Sequence, residues 1–350
     1  MPEKTIFILG AGFSAAAGVP TQGALLGKVL ENRENEALIN FIQRVFGLGP
    51  EEATNLALED VYTVIHMAVA RNQSIKGYDA GTLKVLEAGL THRISNAMNI
   101  DVPPELDETG YLGQFIRYLE DGARTNSCGV ISLNWDILLD SRLHKAMHGH
   151  ARTYIDYGTH YTGIGNTDNR VKPALLAKNH GDPVVPLLKL HGSLNWLVCP
   201  QCERLYVNWD RKIALEDHSC RACKPNTASL QSSIILPTFQ KTLDTFHYRH
   251  IWNQAAIELS EATKLVFLGY SFPLADFDFR ALITKHFPTK AKVEVVLRDN
   301  SDINCTDGTK RTNDTGDRYK DYFGSERCSI SYEGVENYVT NLTIELEPTQ

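Results

Sequence analysis

The sequence has no apolar run near the ~18 residues that a membrane-crossing helix needs. Its most apolar start, residues 5–20, is diluted with Gly, Ser and Ala. It has no surplus of positive charge either. The 35 Lys+Arg against 42 Asp+Glu leave a formal −7, so bulk charge gives no counterion-release drive toward nucleic acid or an anionic membrane, and only a local basic patch remains open. A cationic leader is missing too: Met1-Pro2-Glu3-Lys4 carries no net positive side-chain charge, and only Ile6-Phe7-Ile8-Leu9 is strongly apolar. Ala15-Ala16-Ala17 mimics a signal-peptide cleavage site, but the flanks fit poorly, and a cytoplasmic protein is expected. There is no internal repeat. What is present is 350 residues, 43% hydrophobic, 22% charged and 9% aromatic, a composition that predicts a folded chain of one large domain or two modest ones.

Residues 5–9 read as a short buried strand ended by glycine, which feeds the loop Gly10-Ala11-Gly12-Phe13-Ser14-Ala15. A helical block follows, with apolar residues at three-and-four spacing over residues 34–46, 59–71, 82–98 and 111–124. Strand character returns at 129–133, 186–190, 234–235, 265–268 and 293–297, mostly as short continuous apolar runs. These alternate with helix-like stretches at 137–147, 250–261 and 277–286, a pattern that predicts an α/β fold with a parallel sheet covered on both faces. The polar stretch 299–321 reads as a long loop.

Gly10-x-Gly12-x-x-Ala15 fits a dinucleotide fingerprint, in which missing side chains let backbone N–H groups and a helix start approach a pyrophosphate. The same glycines also suit a plain tight turn. A hydride-transfer enzyme places an acidic residue at the end of a second strand about 20 residues on. Here residues 25–35 look helical, so Glu31 and Glu34 fall on a helix or its end and that class loses support. Further along, Cys199-x-x-Cys202 and Cys220-x-x-Cys223 lie 17 residues apart, the spacing of a tetrahedral site with four thiolates. Such a site is closed to a reactive water, so the Zn2+ it predicts is structural; two disulfides are the alternative. Cys128, Cys305 and Cys328 lack partners at metal-like spacing, and His218 is a surface residue that could replace one ligand.

Taken together and in order, these segments resemble the sirtuin family of NAD-dependent enzymes. Gly10-Ala11-Gly12-Phe13-Ser14 with Gly18-Val19-Pro20 resembles the family's glycine-alanine-glycine loop, and Leu133-Asn134-Trp135-Asp136 its asparagine-x-aspartate segment. Leu190-His191-Gly192-Ser193 resembles the catalytic histidine-glycine strand end, with the cysteine module following as a zinc ribbon does, and Gly269-Tyr270-Ser271 resembles the glycine-x-serine turn. Leu58-Glu59-Asp60-Val61 in the helical block looks like the bacterial sirtuin-like branch. The resemblance implies a Rossmann-like NAD-binding domain in three pieces, 1–22, 126–196 and 229–350. A helical insertion at 23–125 and a zinc ribbon at 197–228 interrupt it.

Two departures separate this chain from the deacylases of that family. Thr21-Gln22 stands where they carry a phenylalanine-arginine pair. Ile235-Leu236-Pro237-Thr238-Phe239-Gln240 stands where they carry the strand that pairs with an acyl-lysine peptide, and Pro237 lacks the N–H such pairing needs. The run through Phe272-Pro273-Leu274-Ala275-Asp276 looks most like bacterial sirtuin-like proteins, several of which degrade NAD in antiviral defence.

The expected chemistry is cleavage of the nicotinamide–ribose bond of NAD+, which builds positive charge on the sugar and needs groups that fix the ribose and steer a nucleophile. Asn134 suits this because an amide both donates and accepts, although an Asn after a buried strand also caps helices. His191, at the carboxyl end of a strand, can take a proton near neutral pH. Of the 12 His, it stands above His144, His148, His150, His160 and His180, which read as surface or packing residues. Asp136 is expected to accept from the nicotinamide carboxamide or merely to begin the next helix. Ser271 is expected to donate to phosphate or ribose. Asn300 would meet the adenosine ribose or form a turn. Trp135 and Trp196 read as cleft walls. The expected activity is NAD+ glycohydrolysis in a defence effector, with protein-lysine deacylation and silent NAD or ADP-ribose sensing as alternatives. A homo-oligomer and a second defence-system protein are the expected partners.

Overall fold

A computed structural model describes residues 3–31, 35–98, 106, 110–149, 154–164, 183–209, 212–213, 216–223, 228–235, 245–274, 276–298 and 314–344. The chain divides into two compact units. One comprises Met1–Ala17, Val102–Ser233 and Asp244–Gln350, and the other Gly18–Asp101 with Ile234–Leu243.

The first unit is built on a seven-stranded sheet. Its strands are β1 (Thr5–Leu9), β2 (Cys128–Ser132), β3 (Tyr154–Asp156), β5 (Val184–Lys189), β9 (Lys264–Leu268), β10 (Lys292–Val296) and β11 (Cys328–Ser331), in the order β11-β10-β9-β1-β2-β5-β3. Every pairing is parallel. Apolar side chains on both faces explain why β1, β2 and β9 read as continuous hydrophobic runs: Ile6, Phe7 and Ile8 are fully buried, as are Leu265, Phe267 and Leu268. From β1 the chain builds first toward β2 and later toward β9, so β1 lies where the strand order reverses, the place where open α/β sheets bind ligands at their carboxyl edge. Register makes that edge level, because Leu9 pairs with both Ser132 and Leu268. Gly10, Leu133 and Gly269 therefore leave the sheet side by side.

A second, four-stranded sheet has the order β4-β7-β6-β8, from β4 (Tyr161–Gly163), β6 (Gly192–Val198), β7 (Leu205–Val207) and β8 (Gln231–Ile234). The strand expected at 234–235 belongs here, as the end of β8, and not to the parallel sheet. Strand β6 follows His191 with no loop between, and Trp196 on it is fully buried with its ring 5.1 Å from Tyr157. That placement corrects its reading as a cleft wall: Trp196 is core.

The helices of this unit are α1 (Ala11–Ala15), α7 (Tyr111–Thr125), α8 (Leu138–Gly149), α9 (Phe246–Glu261), α10 (Phe277–His286), α11 (Asp314–Phe323) and α12 (Gly334–Ile344). Helix α7 was expected within the helical insertion but belongs to this unit. Its stripe Tyr111, Leu112, Phe115, Ile116 and Leu119 is buried, and the Phe115 ring meets Phe7 at 5.1 Å and Phe13 at 5.4 Å. Residues 314–321, expected as loop, are helical in α11. A charged sequence hides the period there, because few apolar residues mark the packed side: Tyr319 and Phe323 are buried onto Phe267 and Phe272, with the half-buried Tyr322 beside Phe272.

The second unit is helical: α2 (Gln22–Leu30), α3 (Glu36–Phe46), α4 (Pro50–Ala53), α5 (Leu58–Ala70) and α6 (Ala80–Ala97). Leu38, Phe41 and Ile42 of α3, Val61 and Ile65 of α5, and Leu83 and Leu90 of α6 form its core, as their three-and-four spacing requires. Asp79 starts α6 by accepting the Thr82 N–H at 2.7 Å. No helix among the described residues is long and apolar enough to cross a membrane.

Candidate active site

The carboxyl edge of the sheet is organised by two glycine turns that touch. A Cβ placed on Gly12 would lie 2.7 Å from Gly269 Cα, and one on Gly269 would lie 2.4 Å from the Gly12 carbonyl carbon. Gly269 also has φ +62°, in the left-handed region where side chains are strained. The contact is hydrogen-bonded: Gly12 N–H donates to Gly269 O at 2.7 Å, and Gly10 N–H donates to Leu268 O at 3.1 Å. The glycines let the turns after β1 and β9 close on each other, and the Gly12 amide is engaged in doing so.

Asn134 leaves β2 beside this pair. Its Nδ2 donates to Gly10 O at 2.8 Å and to Ser14 Oγ at 3.2 Å, while its backbone N–H donates to Ser132 Oγ at 3.2 Å. The described bonds all use donors, so the Oδ1 acceptor has no partner among the described residues. Ser14 in turn donates to Asp136 Oδ2 at 2.8 Å, and Asp136 Oδ1 accepts the Leu138 N–H at 3.0 Å. Asp136 thus begins α8, the plainer of its two expected roles, and also anchors Ser14. Ser14 is 1% exposed, so its hydroxyl acts inside this network. Tyr111 closes the same corner, its hydroxyl donating to Phe13 O at 2.8 Å. Burial, reinforced by the Asp136 charge, holds that phenol well above its ordinary range.

His191 follows β5 at the same edge and is buried. Its Nδ1 lies 3.2 Å from Leu133 O. A carbonyl can only accept, so Nδ1 carries the hydrogen and, in the neutral ring, Nε2 keeps the lone pair. Gly192 behind it has φ +76°, and a Cβ there would lie 2.2 Å from Ser233 O and 2.3 Å from the Tyr248 hydroxyl, so only glycine fits. From α9, Trp252 Nε1 donates to Leu190 O at 3.2 Å.

Ser271 is exposed on the turn after β9. Trp135 is half-buried, and its carbonyl accepts from Leu194 N–H at 2.9 Å. Asn300, Cys305, His150, His180 and the Pro237-Thr238-Phe239 segment lie outside the described residues. His144 is a packing residue, stacked on Trp209 at 4.8 Å. Lys212 was not anticipated. Burial pushes its amine down to about 8, against the pull of the Asp136 carboxylate. It stands between the two cysteine pairs, where motif spacing gives a lysine no significance.

The four cysteines of the module converge. Their Sγ atoms all lie within 4.8 Å of one another, with Cys199–Cys223 and Cys202–Cys220 at 3.7 Å. Tetrahedral thiolates at a Zn–S distance of about 2.3 Å stand about 3.8 Å apart, so the set fits zinc, and the separations are too long for disulfides. Tyr206 places its hydroxyl 3.2 Å from Cys220 Sγ, an outer-shell contact the spacing did not reveal. Leu197, Ile213 and Leu230 form a small core around the cluster. His218 is bonded to Glu216 at 2.7 Å and is not among the clustered ligands. Cys128 is buried, which pushes its thiol up to about 12 and makes it inert.

No protein-family model matches the chain, and no curated protein does. Among solved structures it is similar to a Sir2 homologue in complex with NAD, at 13% identity and TM-score 0.43, covering 99% of this chain and 90% of that one. A structure on the mechanism and regulation of Sir2 enzymes gives 14% and 0.45, covering 99% and 93%. Sir2 bound to acetylated peptide gives 13% and 0.42, covering 98% and 93%. Overlaps this distant assign the chain neither a family nor an activity.

Proposed function

We propose that this chain is a sirtuin-like NAD+ glycohydrolase, which splits NAD+ and water into nicotinamide, ADP-ribose and a proton. The observation that carries the reading is the pairing of Asn134 with His191 on adjoining strand ends. The residue before Asn134 supplies the carbonyl that fixes the His191 ring, and Asn134 itself is fixed by Gly10 and Ser14. The Asn134 Oδ1 acceptor would hold a ribose hydroxyl or the attacking water. The His191 Nε2 lone pair would take the proton that this group releases. As the C–N bond breaks, its electron pair leaves with nicotinamide and charge grows on the ribose, so positioning outweighs covalent work by the protein. Gly10, Ala11, Gly12, Gly269 and Ser271 would border the phosphates and ribose. In the same reading Cys199, Cys202, Cys220 and Cys223 hold a structural zinc, which supplies folding energy to the ribbon and takes no part in the reaction.

The test is product analysis after incubating the purified protein with NAD+ alone. Nicotinamide and ADP-ribose in equal amounts are expected. Turnover only after an acetyl-lysine peptide is added would instead select deacylation. Binding without turnover, unchanged in His191→Ala, would select a sensor.

A further inference from the structure

Lys189, the last residue of β5, is 1% exposed, an unusual place for an ammonium group. Its Nζ donates to Asp140 Oδ2 at 3.0 Å and to the backbone carbonyl of Asp136 at 2.5 Å. Asp140, on the first turn of α8, is 2% exposed, and its other oxygen accepts the Tyr157 hydroxyl at 2.7 Å. The pair is therefore neutralised and hydrogen-bonded on both sides. Simple stability does not explain it, because well-packed apolar residues replace buried ion pairs at little cost.

Its placement suggests what it does. The segment 133–136 leaves the parallel sheet, and residues from the end of β5 through the start of β6 hold three of its carbonyls. Leu133 O accepts from His191, Trp135 O accepts from Leu194 N–H and from Ser193 Oγ at 3.4 Å, and Asp136 O accepts from Lys189. Lys189 is the only charged donor in this set, and charge-assisted bonds are roughly twice as strong as neutral ones.

We propose that Lys189, held by Asp140, is a positioning residue: it fixes the 133–136 segment so that the Leu133 carbonyl sets the His191 tautomer while Asn134 faces the same space. Its contribution to turnover rests on the glycohydrolase reading, whereas its effect on the imidazole does not.

Lys189→Met alone leaves the Asp140 carboxylate buried and uncompensated, so the variant to use is the neutral pair Lys189→Met/Asp140→Asn, in which the new amide still accepts from Tyr157. Two measurements are made on the full chain. Histidine 15N spectra report the tautomer: His191 carries its hydrogen on Nδ1 in the parent and shifts toward a mixture with Nε2–H in the double variant. Nicotinamide release is expected to fall at least about tenfold in kcat, with the KM for NAD+ within about threefold. A merely structural role would lower the unfolding temperature and leave the tautomer of the folded protein alone. An unchanged His191 spectrum in the folded double variant overturns the proposal whatever the turnover. If the parent releases no nicotinamide, the glycohydrolase reading fails, and the imidazole spectrum still decides the role of Lys189.

Discussion

The touching glycine turns permit a dissection in which two physical effects are separated by three substitutions. Gly324→Ala places a methyl in open space at φ +87°, so it measures left-handed strain alone, about 1 kcal/mol. Gly12→Ala has no positive φ but puts Cβ 2.7 Å from Gly269 Cα and O, backbone atoms that cannot swing aside, and overpacking of this kind costs about 1–3 kcal/mol. Gly269→Ala meets both, with φ +62° and contacts of 2.4 Å to Gly12 C and Phe13 N, so about 2–4 kcal/mol is expected. The assay is urea unfolding followed by tryptophan fluorescence. All four tryptophans, Trp135, Trp196, Trp209 and Trp252, belong to the sheet-bearing unit, so the signal reports that unit and not the helical one. A lower midpoint at unchanged slope reads as lost stability. The order Gly324→Ala, Gly12→Ala, Gly269→Ala is expected from mildest to most severe. A Gly269→Ala midpoint no lower than that of Gly324→Ala would refute the claim that turn-to-turn contact is what requires glycine.

Other expectations follow from the same geometry. Asn134→Ala and His191→Ala should each reduce nicotinamide release by roughly a hundredfold or more, and a near-parental rate in either variant defeats its assignment. Cys199→Ser should lower the zinc content measured by elemental analysis and reduce folded yield, while a variant that stays folded and active argues against a structural metal. His247 is 1% exposed, and burial holds its imidazole down at about 4 against an ordinary 6.5. The unfolded chain therefore binds the extra proton first as pH falls. Stability should drop between pH 6.5 and 4 by at most about 3 kcal/mol and show no further loss from this group below that window. His247→Phe should flatten that part of the stability–pH curve, and an unaltered curve would show that His247 is not the group responsible.

Much of this protein was written locally. The continuous apolar runs of β1, β2 and β9 reflect strands buried on both faces, and their alternation with helices identifies a parallel sheet without any tertiary information. The two cysteine pairs were legible for a similar reason, since a tetrahedral thiolate site constrains spacing within each knuckle. Asn134 and His191 could be singled out only because their flanking segments resemble sirtuin motifs in the same order; a position just past a strand would by itself fit a helix cap or a packing histidine equally well. What sequence periodicity could not show was anything that depends on two distant segments meeting. Helix α7 has the same three-and-four pattern as the helices of the other unit, and only the contact of Phe115 with Phe7 assigns it to the sheet. Helix α11 has too few apolar residues to register, yet Tyr319 and Phe323 suffice once Phe267 and Phe272 face them. The glycines of the first loop fit a phosphate cradle or a turn equally well until Gly269 arrives opposite Gly12. Nothing in the residues around Lys189 marks it, and it became interpretable only when the fold buried it between Asp140 and the Asp136 carbonyl. Hydrophobic period and ligand spacing are properties of neighbouring residues. Close approach, burial of charge and the tautomer of a ring are set by atoms far apart in the chain, 49 residues for Lys189 and Asp140 and 58 for His191 and Leu133, and those the tertiary structure alone decided.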